Sequence, residues 1–124
     1  MSERSSRQAL RPSAGEMLSL DIMDEAARLK MKPEWSSVDR LAISLVKDDA
    51  LNILLMVLKK GARLAEHRTK GPIAVNVFSG SVRLSARDKH AELSAGSIAA
   101  LDREVVHELE ALEESIVLLI TAIA

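Results

Sequence analysis

Cysteine is absent from this chain of 124 residues. That removes disulfides, zinc-thiolate sites and thiol nucleophiles together, and it suits a reducing cytoplasm. Aromatics are nearly absent as well: Trp35 and Phe78 stand alone, and there is no tyrosine. Sugar platforms, aromatic cages for quaternary amines and base-stacking surfaces all draw on rings that this chain lacks. Charge of one sign is missing too, since 17 Lys and Arg balance 18 Asp and Glu to a net charge of -1. No general electrostatic attraction to nucleic acid or to an anionic membrane follows from that balance. The longest apolar run, 116-IVLLITAIA-124, is about half of what a membrane-spanning helix requires, and the polar start MSERSSRQALRPSAGEM has no apolar signal core. These absences lead us to expect a cytoplasmic protein without nucleic-acid or membrane partners.

What is present is aliphatic. Leu, Ile, Val, Ala and Met must fill the core of what the length allows, a single folding unit that buries roughly two-thirds of its unfolded surface. Residues 1 to about 14, rich in Ser and Arg, read as a disordered leader. In 21-DIMDEAARLKM-31 the apolar residues recur at helical spacing, Asp21 suits an N-cap, Asp24 and Glu25 suit the first turn, and Lys32-Pro33 stops the segment. Residues 1–34 are therefore expected to hold the leader and a short N-terminal helix, and residues 35–124 the main domain.

After Pro33 the pattern changes to short apolar runs between turn residues: 40–46, 51–58, 73–78, 82–86, 91–93, 98–101, 105–112 and 116–122. About eight short strands at this spacing predict an all-β sandwich or barrel. Alternation is clearest where Val75 and Val77 oppose Ala74, Asn76 and Phe78, and where Val82 and Leu84 oppose Arg83 and Ser85. By contrast, 53-ILLMVL-58 and 116-IVLLI-120 are apolar at every position and need cover on both faces, from which we expect a homodimer. Trp35, just ahead of the strands, is expected to cap an open end of the barrel.

The stretch 61-GARLAEHRTKGPIAVNVFSG-80 reads as strand-turn-strand with a histidine in its first third. Its spacing, and that of the residues after Gly96, resembles the small single-domain cupins. The first motif of that family, G-x5-H-x-H-x3-E-x6-G, falls on Gly61, His67, Thr69, Ile73 and Gly80. The second, G-x5-P-x-G-x2-H-x3-N, falls on Gly96, Asp102, Glu104, His107 and Ala111. The resemblance covers roughly residues 38–122 and implies a double-stranded β-helix, or jelly-roll barrel, following the short helix.

In metal-binding cupins three histidines and a glutamate from these motifs hold a divalent metal. Here Thr69 and Ile73 occupy two of the four ligand positions, leaving His67 and His107. A catalytic metal ordinarily needs three protein ligands and an open position, so the expectation is a barrel without a tightly held metal and without a cofactor. His67, Thr69, Ile73, Val75, Val77 and His107 are the candidate pocket residues for a small-molecule ligand, with the imidazoles giving orientation. Catalytic residues are not assigned, and whether the protein is an enzyme is left open. The alternative is an enzyme of the dioxygenase, isomerase or decarboxylase type with a divalent transition metal on His67 and His107. His90 reads as a solvated hairpin residue, and Lys59, Lys60, Arg63, Arg68 and Lys70 as a solvated rim.

Overall fold

A computed structural model describes residues 17–122 of the chain. The expected leader at 1–14 lies outside the described residues. The expected helix is α1, Ile22–Lys30. Its cap is as the sequence suggests, with the Asp21 side chain accepting from the Asp24 amide at 3.0 Å and satisfying one of the amides that a helix start leaves unpaired. A short 3-10 turn, Pro33–Ser37, follows. The strands then run β1 Arg40–Lys47, β2 Leu51–Leu58, β3 Arg63–His67, β4 Ile73–Ser79, β5 Ser81–Ala86, β6 Lys89–Ser94, β7 Ile98–Leu101, β8 His107–Ala111 and β9 Ser115–Ala122.

The strands form two antiparallel sheets facing each other, one in the order β1-β2-β9-β4-β7 and the other β3-β8-β5-β6. Apart from the hairpins β1-β2 and β5-β6, neighbours in a sheet are not consecutive in sequence, as in a jelly roll. Among the described residues no helix is long and apolar enough to cross a membrane.

Strand alternation divides the apolar residues into two cores. Between the sheets lie Met56, Leu58, Val75, Val77, Val82, Leu84, Leu109 and Val117. On the outer side of the larger sheet lie Ile43, Leu45, Leu55, Val57, Ile116 and Leu118, packed with Ala26 and Leu29 of α1. This second core answers the question raised by the two all-apolar strands. β2 sends Leu54, Met56 and Leu58 inward and Leu55 and Val57 outward, where α1 covers them. The homodimer expectation rested on these outward faces, and it no longer follows from them because the cover comes from the same chain. Lys30 ties the helix down further, pairing with Glu114 in the turn between β8 and β9. Trp35 also packs on this outer cluster rather than over the barrel end, with the Lys59 ammonium 4.8 Å from its ring centroid.

Two turns close the barrel through glycines with positive φ. Gly80, between β4 and β5, has φ +88°, and Gly96, between β6 and β7, has φ +91°. The amide of Ser97 donates to the Ser94 carbonyl at 2.9 Å, which puts Gly96 at the third turn position, where a type II turn needs positive φ.

Candidate functional site

β3 is mostly polar, and its one irregularity builds the site. Leu64 pairs with Leu109, yet His67 pairs with His107, so three steps along β3 match two along β8. The extra residue is a β-bulge. Without it, strict alternation from the inward-facing Leu64 would turn residue 67 outward; with it, His67 shares the face of Leu64. The two imidazoles meet edge to face, with ring centroids 5.6 Å apart and planes at 85°.

The two histidines are placed differently. His107 is buried, at 8% exposure, and its Nδ1 lies 3.0 Å from the Val105 carbonyl oxygen. A carbonyl only accepts, so Nδ1 carries a hydrogen, and in the neutral ring Nε2 is left as an acceptor. His67 is exposed, at the edge of the cavity that both rings line.

That cavity has a volume of about 320 Å³. Its walls are Leu54 and Met56 of β2, Val75 of β4, Leu84 of β5, Leu109 of β8 and Leu119 of β9, with Leu64 and Ala65 of β3 beside the histidines. The remaining polar groups are Arg40, at the start of β1, and Glu108. Arg40 donates through Nη1 to the Arg63 carbonyl at 2.7 Å, bridging the edge strands β1 and β3. Glu108 accepts from Arg63 Nη2 at 2.6 Å. His107 also borders a smaller cleft of about 280 Å³ with Ser85, Arg87, Val106 and Glu108, so its ring stands between the two hollows.

Of the residues expected in the pocket, His67, Val75 and His107 line it. Thr69, Ile73 and Val77 do not. The Thr69 hydroxyl donates to the Gly71 carbonyl at 2.7 Å within its own turn. Ile73 and Val77 are buried in β4 at 4% and 0% exposure, beyond the cavity wall. Leu54, Met56 and Leu119 lie in runs that are apolar at every position, so the sequence marks no inward face there, and Arg40 carried no signal, being the polar first residue of a strand. His90 is exposed on β6, as expected.

The arrangement also tests the metal set. Position 69 has turned its hydroxyl to a backbone carbonyl and position 73 is a buried isoleucine, so neither adds a ligand to the two imidazoles. Among the described residues no three His, Cys, Asp or Glu side chains converge as a group able to hold a metal ion. The residues present do not fit a cupin metal, which needs at least three ligands.

No protein-family model matches the chain, and no curated protein matches it by sequence. Solved structures do match in three dimensions. A cupin superfamily protein from Desulfitobacterium hafniense aligns with a TM-score of 0.67 at 19% identity, over 68% of this chain and 78% of that one. This chain has the cupin fold. A conserved protein of unknown function from Streptococcus pyogenes aligns over 97% of this chain and 98% of its own length, at TM-score 0.72 and 19% identity. A salicylate 1,2-dioxygenase from Pseudoaminobacter salicylatoxidans aligns over 93% of this chain but 37% of that one, at TM-score 0.74 and 17% identity. At such identities the likeness is one of fold, and function is argued from the site itself.

Proposed function

We propose that this cupin binds a small, mostly apolar molecule between its sheets, oriented by His67 and His107 and without a tightly held metal, in the cytoplasm. The observation that carries the reading is the cavity: about 320 Å³ walled by leucines, Met56 and Val75, with a few convergent polar groups at one side. Ligand sites are concave, mostly apolar and oriented by a few polar groups, and this volume lies at their lower end. The lack of cysteine supports a reducing compartment.

Methyl-labelled NMR during titration with 1-octanol tests it. Resonances of Leu54, Val75, Leu84 and Leu109 should shift together and saturate, while methyls of the outer core, such as Leu29 and Val57, stay in place. Shifts confined to the outer core, or none at any cavity methyl, would refute a ligand site between the sheets.

A further inference from the structure

The polar groups of the cavity are unequal in what they offer. Arg40 brings a guanidinium with five N–H donors. One nitrogen is engaged with the Arg63 carbonyl at 2.7 Å, and the carboxylate beside it, Asp39, is 3.9 Å away, beyond hydrogen-bond reach. Glu108 is the one carboxylate among the described residues of the lining, and its charge is already met by Arg63 at 2.6 Å. The buried imidazole of His107 is locked by the Val105 carbonyl, so that its neutral ring presents Nε2 as an acceptor. A cation with donors to spare therefore shares an otherwise apolar hollow with a proton acceptor.

We infer that the cavity takes a small aliphatic monocarboxylic acid, whose carboxyl group lies between Arg40 and His107. The inference rests on the ligand-binding reading above and narrows it to one chemical class. One carboxyl oxygen accepts from Arg40. The other lies against Nε2 of His107 through one proton taken up from solvent on binding, which a carboxylate can share and an ester cannot. The hydrocarbon tail lies along Leu54, Val75, Leu84 and Leu119. The volume of about 320 Å³ equals about ten water-sized groups at about 30 Å³ each, which sets the ligand near ten heavy atoms. Among the described residues the cavity has no aromatic side chain besides the two imidazoles, so nothing there demands a flat ring.

Three aliphatic probes of nearly equal size decide the matter by calorimetry on the full chain: octanoate, 1-octanol and methyl heptanoate. Octanoate is expected to bind at least tenfold more tightly than either neutral probe, because hydrogen bonds to a charged group are the stronger ones. Arg40→Gln should weaken octanoate about tenfold and leave 1-octanol within twofold, while Arg40→Lys, keeping the charge, should recover part of the loss. Equal binding of all three probes would overturn the acid preference and leave the cavity reading standing. Binding of none would overturn both. Octanoate binding unaffected by Arg40→Gln, with the variant melting as the parent does, would place the carboxylate elsewhere and defeat the inference.

Discussion

Gly80 and Gly96 share almost the same backbone angle and differ in what surrounds them, so replacing each by alanine separates strain from crowding. Both have φ near +90°, where an L side chain costs about 1–2 kcal/mol. Around Gly96 an added Cβ meets nothing within 4 Å. At Gly80 it would fall 2.3 Å from both the Glu114 carbonyl oxygen and Ser115 Oγ. Ser115 is fully buried, where its hydroxyl accepts from the Ser81 amide at 3.0 Å and donates to the Glu113 carbonyl at 2.8 Å. Displacing it adds about 1–3 kcal/mol for buried groups left unpaired. Both substitutions recover about 0.4–1 kcal/mol from a less flexible unfolded chain. Gly96→Ala should thus cost about 1 kcal/mol and Gly80→Ala about 2–4 kcal/mol. At about 4 °C per kcal/mol for a chain of this size, calorimetric melts should show Gly80→Ala losing at least twice what Gly96→Ala loses. Equal losses would refute the close approach between the β4–β5 turn and the start of β9.

Elemental analysis after purification without chelator should find well below one equivalent of Mn, Fe, Ni, Cu or Zn per chain, unchanged in His67→Ala; a stoichiometric metal that disappears in both His67→Ala and His107→Ala would favour the enzyme. Leu29→Ala, at the centre of the contact between α1 and the larger sheet, should cost about 2–5 kcal/mol in urea unfolding. Removing residues 1–31 should uncover Leu55, Val57, Ile116 and Leu118, and light scattering should then report more association than the full chain shows at equal concentration. Glu104, a non-glycine residue at φ +63°, should be better as glycine, with Glu104→Gly raising the melting temperature by about 4 °C or less.

The last of these connects the sequence to the structure. Glu104 falls on a glycine of the second cupin motif, and the backbone there still has the positive φ that a glycine adopts most readily. The register of that motif was therefore legible even where the residue type had changed. Most strands were legible too, because Val82 and Leu84 alternate with the polar Arg83 and Ser85, and Val75 and Val77 flank Asn76. β3 was weaker as a pattern, since Arg63, Glu66 and His67 leave few apolar residues to set a period. The destination of the second apolar face was not legible. Leu55 and Val57 announce that they need cover, but the same demand is met by a partner chain or by a helix from elsewhere in the same chain. The sequence of α1 shows an apolar stripe without saying which surface receives it.

The site was legible in its residues and hidden in its geometry, for a reason that lies in β3. A period of two makes the facing of every residue depend on the count before it, and one extra residue reverses that facing for all that follow. No residue type at 65 or 66 marks the bulge in advance; it shows only in the pairing of Leu64 with Leu109 and of His67 with His107. The consequence is specific. Deleting Ala65 should remove the bulge and leave two steps on each strand between the Leu64–Leu109 and His67–His107 pairs, so that His67 keeps its inward face and its ring still meets His107. The Val105 carbonyl would still hold His107 through Nδ1, so NMR of the ring protons should show the two imidazoles still in contact and the His107 tautomer unchanged. A deletion variant that folds but separates the two rings would show that β3 does not absorb its extra residue as a bulge between Leu64 and His67.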